Sequence, residues 1–173
     1  MQHNNAAPVP VEIARFRNMF QVRAATIKDC TAIGAIIRAE SHHFLVDPDG
    51  AEAQRFYDAL RPSAIEESMK HSARCYWVAE ADSEVVGMIM IRDQNHISQF
   101  FVAGPHKGKG AGGKLWLLAL NTALASGASG EFSVDSSLAA VPVYQSIGFA
   151  VAGVETVRNG FRFVPMHRPA FGG

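Results

Sequence analysis

Residues 107–116 read KGKGAGGKLW, four glycines and three lysines directly ahead of an apolar run. Such a segment suits the close approach of an anion. Backbone N–H groups at a helix start point outward, the helix dipole adds to them, and glycines let the backbone come near. Two nucleotide templates fit in part. Gly108-x-Gly110-x-x-Gly113 satisfies the dinucleotide fingerprint G-x-G-x-x-G, with Glu131 and Asp135 downstream. That fingerprint, however, opens a parallel βαβ unit directly after a strand. Here residues 104–107 (GPHK) intervene, and about sixty residues remain, too few to complete a doubly wound sheet. Gly108-x-x-x-x-Gly113-Lys114 nearly satisfies the P-loop, but Leu115 stands where Ser or Thr must hold magnesium. A glycine-rich loop that merely caps a helix, its lysines solvated, fits the same ten residues.

The flanking segments narrow the choice. Upstream, CYWVAEA (75–81), EVVGMIMIRD (84–93) and HISQFFVAG (96–104) are strands separated by tight turns at Asp82-Ser83 and Gln94-Asn95, hence an antiparallel meander. The middle strand is almost wholly apolar and is expected to be buried on both faces. Downstream come a helix over 115–126, a short strand EFSVD (131–135), and a helix over 138–147 in which Pro142 fits only the first turn. A C-terminal hairpin turns at Asn159-Gly160. Nearer the N-terminus, a strand at 22–25 precedes a helix capped by Thr26, with Asp29 three residues on and Ile33, Ile36 and Ile37 at helical spacing. SHHFLVDPDG (41–50) reads as a loop, followed by two short helices around EAQRFYDAL and SAIEESMKH. Residues 1–20 read as an N-terminal arm, loose over 1–10 and with a helical turn or two over 11–20; residues 21–173 form the domain.

In this context a third template applies. Lys107-x-x-Gly110-x-Gly112 resembles motif A of the GNAT superfamily of N-acetyltransferases, written Gln/Arg-x-x-Gly-x-Gly/Ala, with Lys107 at the usual Gln or Arg. VDSSLAAVPVYQSIGF (134–149) resembles motif B of the same superfamily: Asp135 stands at the usual Asn, and Ala140, Tyr144, Gly148 and Phe149 match. The resemblance covers about residues 22–166. It implies an α/β (α+β) fold, a mixed and mostly antiparallel twisted sheet of about six to seven strands flanked by about four helices. The parallel central strands, HISQFFV and EFSVD, should run together and then splay, with the pantetheine arm of acetyl-CoA in the gap.

The resemblance also implies a set of functional residues. Lys107, Gly108, Lys109, Gly110, Ala111, Gly112 and Gly113 would hold the pyrophosphate of coenzyme A. Phe101 and Val102 would bind the arm and polarise the thioester carbonyl through their backbone, and Asp135 and Ser136 are assigned to the same cofactor. The reaction would be direct attack of a primary amine on the thioester. Tyr144 is the candidate general acid. The base is His96 or a water that it orders; Ser98, two residues on, could hold such a water. His42, His43 and Phe44 are candidates for the acceptor pocket, built from their loop and the hairpin at Asn159-Gly160. The expected cofactor is acetyl-CoA as co-substrate, without a metal; the acceptor is a small-molecule or peptide amine. A non-catalytic acyl-CoA-binding or sensing module is the alternative.

Bulk composition agrees with an ordinary globular protein. The 173 residues are 48% apolar and 18% charged, with 16 basic and 16 acidic side chains, so no nucleic-acid or membrane partner is suggested by net charge. Cys30 and Cys75 lack metal-ligand spacing and suit a reducing, cytoplasmic setting. No apolar leader or membrane span is expected. Homodimers are common in the superfamily, but no interface is legible here.

Overall fold

A computed structural model of the protein describes residues 19–170. The expected arm over 1–10 and most of the helical turns over 11–20 lie outside the described residues. Eight strands and five α-helices follow: β1 (Gln21–Ala24), α1 (Cys30–Glu40), α2 (Ala51–Asp58), α3 (Pro62–Met69), β2 (Arg74–Ala81), β3 (Glu84–Arg92), β4 (His96–Val102), α4 (Ala111–Ala125), β5 (Phe132–Ser136), α5 (Val141–Ser146), β6 (Ala150–Val151), β7 (Thr156–Arg158) and β8 (Phe161–Arg168). The strands form one sheet in the order β1-β2-β3-β4-β5-β8-β6, with β7 paired to β8. Every pairing is antiparallel except β4 with β5. The expected class is therefore observed, with one or two more strands and one more helix than the sequence indicated.

β3 carries the logic of the layers. Its alternate residues enter two different cores, as a strand buried on both faces must. Ile89 and Ile91 join α4, α5 and the C-terminal strands, alongside Leu115, Trp116, Phe132, Tyr144 and Phe149. Met88 and Met90 join α1 and α3, alongside Ile33, Ile37 and Ile65. α4 buries Ala111, Leu115, Trp116, Ala119 and Leu120, a stripe at helical spacing.

Local chemistry fixes the ends. Asp29 accepts the backbone N–H of Thr26 at 2.7 Å, the reach-back half of a capping box. Arg23 grips the same carboxylate through two nitrogens at 2.8 and 2.9 Å. Hydrogen bonds from Arg23 hold this buried carboxyl down at about 2, against the opposing effect of burial. The β3–β4 turn lies one residue earlier than expected: Asp93 and Gln94 have φ of 53° and 69°. The hairpin turn falls as expected, with φ of 52° at Asn159 and 79° at Gly160. Glycine is required at 160 on a second ground, since a Cβ there would lie 2.6 Å from Glu52 Cβ on α2. Among the described residues, no helix is long and apolar enough to cross a membrane.

Candidate active site

β4 and β5 hold together only at His96↔Ser133 and Ile97↔Val134. Beyond those two pairs they part. β4 also carries a bulge: Met90 pairs Gln99 and Ile91 pairs Ile97, so Ser98 is the extra residue. The result is a wedge-shaped cavity of about 800 Å³, lined from both faces of the sheet.

The β4 backbone faces the gap selectively. Ala103 donates its N–H to Val86 O at 2.9 Å, back towards β3. In an antiparallel ladder successive residues alternate sides. Phe101 therefore turns its backbone to β3, while Phe100 and Val102 turn theirs to the gap. This divides the two residues expected to act together. The side chains divide as well: Phe100 and Val102 pack on the α4 and α5 side, and Phe101 on the α1 side.

The glycine segment closes one end. α4 begins at Ala111, four residues earlier than expected, because the buried Ala111 anchors a first turn that glycines alone would not favour. Gly110 is its N-cap at φ 99°, and Gly108 has φ 72°. A Cβ at Gly108, Gly110 or Gly113 would meet nothing within 4 Å, so the segment is an open cradle. Lys114 N–H makes the first helical bond, to Gly110 O at 3.1 Å, leaving the preceding N–H groups as donors without intrahelical partners. The cradle fits a diphosphate such as that of coenzyme A. Gly108, Gly110, Gly112, Gly113 and Lys107 line the cavity; Lys109 is exposed outside it, and Ala111 turns its methyl into the core. Lys107 is held by Glu40 at the end of α1, whose other oxygen accepts Gly104 N–H at 3.0 Å. Lys114 Nζ donates to Phe20 O at 2.8 Å.

Tyr144 reaches the cavity from α5, its ring edge-on to Phe100 and Phe149 at 6.1 and 5.5 Å. Burial pushes its phenol well above its usual range. His96 lines the wedge where the strands meet, with Nδ1 2.9 Å from Ser133 Oγ. Burial, then the charge of Arg92, lower its pKa. With the proton on Nδ1 donated to Ser133, Nε2 keeps a lone pair. Ser98 Oγ and His106 Nδ1 are, among the described residues, the buried side-chain atoms without a hydrogen-bond partner, and both residues line the cavity.

Other expected residues divide. Asp135 lines the cavity and pairs with Arg158 at 2.9 Å. Ser136 does not reach it: the side chain is buried and its hydroxyl donates to Ser137 O at 2.8 Å, so Ser137 takes the lining position. His43 and Phe44 line the cavity, whereas His42 lies outside it, its Nδ1 3.1 Å from Ala39 O. Sequence reasoning missed Glu40, Phe56, Phe161 and Arg158, none of which sits in a motif.

A mixed sheet with splayed central strands, opening onto a glycine-rich helix start, is an acyltransferase fold. The chain belongs to the GNAT acetyltransferase family: the family model described as acetyltransferase (GNAT) domain matches residues 44–169. Solved structures agree on the fold. A GCN5-related N-acetyltransferase from Rhodopseudomonas palustris is 20% identical with a TM-score of 0.67, over 86% of this chain and 94% of that one. The PaiA N-acetyltransferase of Thermoplasma acidophilum in complex with coenzyme A is 17% identical with a TM-score of 0.69, over 86% and 98%. A spermidine N-acetyltransferase SpeG chimera from Vibrio cholerae and hSSAT is 18% identical with a TM-score of 0.62, over 87% and 95%. Comparison with curated proteins finds no significant match.

Proposed function

We propose that the protein transfers the acetyl group of acetyl-CoA to a primary amine by direct attack. The observation that carries this reading is the gap that crosses the sheet from an open glycine cradle to the wedge holding His96. Acetyl-CoA supplies the activated thioester. The chain supplies position: free N–H groups of α4 for the pyrophosphate, and the gap-facing backbone of Phe100 and Val102 for the arm and carbonyl.

Two protons must be handled. A lysine-like amine, with pKa ~10.4, must first be deprotonated, at about 4–5 kcal/mol near neutrality. His96, neutral because burial lowers its pKa, takes that proton directly or through a water held at Ser98 Oγ. The leaving thiolate has an ordinary pKa of ~8.5. Tyr144, kept neutral by burial, presents its O–H to that sulfur. A phenol above its usual pKa holds its proton more tightly than the thiol does, so it acts first as a hydrogen-bond donor to developing charge. The amine's second proton, lost as the amide forms, balances the one the thiol gains.

The test is thermal unfolding with acetyl-CoA, NAD and ATP-magnesium in parallel, followed by thiol release with an amine panel. A ligand at ~100 times its Kd adds about 2.7 kcal/mol, a rise of roughly 5–10 °C in a domain of this size. Acetyl-CoA alone should give it. Stabilisation by NAD or ATP instead would overturn the reading. Stabilisation by acetyl-CoA with no thiol release from any amine would leave an acyl-CoA-binding module.

A further inference from the structure

The gap has a second mouth, on the α1 and α2 side of the sheet, and four phenylalanines line it: Phe44, Phe56, Phe101 and Phe161. Phe161 stands 5.4 Å from Phe56 and 5.9 Å from Phe44 between ring centroids, and Phe44 lies 5.7 Å from Phe56 and 6.0 Å from Phe101. The backbone pins them together. Arg162 N–H donates to Phe44 O at 2.8 Å and Val46 N–H to Gly160 O at 3.0 Å, so the loop after α1 is stitched to the hairpin. All four rings are half-buried, and each keeps surface on the cavity.

The charges at this cavity are already paired. Two carboxylates line it, and each already has a cation: Glu40 has Lys107, and Asp135 has Arg158. Arg92 and Arg162 also line it, and each is paired with a carboxylate outside the lining: Arg92 with Asp93 at 3.5 Å and Arg162 with Glu155 at 3.1 Å. A second ammonium on an acceptor would be desolvated with no unpaired carboxylate in the lining to receive it, which is costly. An aromatic or branched apolar group would instead complete the ring cluster by edge-to-face or offset contact. The single ammonium of a monoamine gives up its proton before attack and so needs no counter-ion.

We propose that the acceptor is a monoamine carrying an aromatic or bulky apolar group, and that polyamines are excluded. This rests on the acetyl-transfer reading, and the experiment separates the two. Calorimetry of the protein–CoA complex with 2-phenylethylamine and with spermidine reads the pocket; thiol release from acetyl-CoA reads the transfer. Phenylethylamine should bind about tenfold or more tighter than spermidine, and Phe161→Ala should raise its KM about tenfold with KM for acetyl-CoA unchanged. Phe161→Leu, which keeps most of the volume, takes its place if the alanine variant does not fold. Spermidine binding as tightly as phenylethylamine, or a KM for phenylethylamine unmoved by both substitutions, overturns the proposal. Binding without thiol release upholds the pocket's ligand class and sinks the transfer reading. Failure of phenylethylamine to bind, with acetyl-CoA still bound and turned over with another amine, sinks the pocket proposal alone.

Discussion

The two mouths of the cavity are built by different means. On the α4 side the wall is backbone: Gly108, Gly110, Gly112 and Gly113 present main-chain groups, and a Cβ at Gly108, Gly110 or Gly113 would meet nothing within 4 Å. On the α2 side the wall is side chains: four phenylalanine rings come from α2, β4, β8 and the loop after α1. A backbone cradle serves any ligand with a diphosphate. A side-chain cluster must be rebuilt for each acceptor. One mouth can therefore stay constant while the other varies, which is how one fold hosts many acceptors.

Between the mouths lies the centre proposed for the chemistry, and there the largest effect is expected. Tyr144→Phe removes one oxygen and leaves the ring contacts with Phe100 and Phe149 in place. It should lower kcat by about 10²–10⁴, the usual range for a lost acid or base. KM for acetyl-CoA and for the amine should both hold. A fall in cofactor affinity of the same size would make Tyr144 part of the cradle side rather than of the reacting centre.

His96 should come next, with an effect of about 10² on kcat/KM. The base must be neutral to act. Burial and Arg92 lower its pKa below the usual ~6.5, so activity should rise with pH along a limb lying below that value and then level off. His96→Ala should lower the plateau and abolish the limb. A profile of unchanged shape would assign proton removal to water held elsewhere, for instance at Ser98.

Gly110→Ala addresses the cradle alone. At φ 99° an L-residue is strained by ~1–2 kcal/mol. The unfolding midpoint should fall by roughly 2–8 °C, and KM for acetyl-CoA should rise about tenfold, while KM for an aromatic amine holds. Equal shifts in both constants would mean that the mouths are mechanically coupled, and the contrast between them would fail.

The contrast also explains what the sequence made legible. The cradle, Tyr144 with Gly148 and Phe149, and the Asn159-Gly160 turn are each encoded within a few residues, where spacing reports geometry directly. The wedge was expected from the resemblance, and the two pairs between β4 and β5 bear it out. The bulge at Ser98 was not legible, because an extra residue in a strand leaves alternation ambiguous until the partner register is known. The start of α4 was placed late because glycine's poor helix propensity masked the packing of Ala111. The phenylalanine cluster was the least visible. Phe44 is singled out for the acceptor pocket and Phe101 only for its backbone; Phe56 and Phe161 sit in no motif, and no local pattern says that residues a hundred positions apart will share a pocket. His42 and His43 drew notice as a pair, yet the turn at Ser41–His43 sends His42 away from the cavity and His43 to it.

Glu40 provides the finest test, because it belongs to both sides. It ends α1, on the acceptor face, and braces the loop that leads into the cradle through Gly104 N–H and Lys107. Its two oxygens oppose each other in effect. The bond to Gly104 holds the loop in shape and, on the proposed function, should aid cofactor binding. The negative charge occupies Lys107 and would repel a diphosphate in the cradle. Glu40→Gln keeps an acceptor for Gly104 and removes the charge; acetyl-CoA should bind as well or up to about fivefold tighter, consistent with the ~0–1 kcal/mol of a partly exposed pair. Glu40→Ala removes both and should bind about fivefold weaker than Glu40→Gln, the loss of one net hydrogen bond of ~1 kcal/mol. Titration calorimetry with acetyl-CoA reads the split. If both variants weaken binding alike, the charge itself holds Lys107 in its productive place, and the cradle depends on a side chain after all.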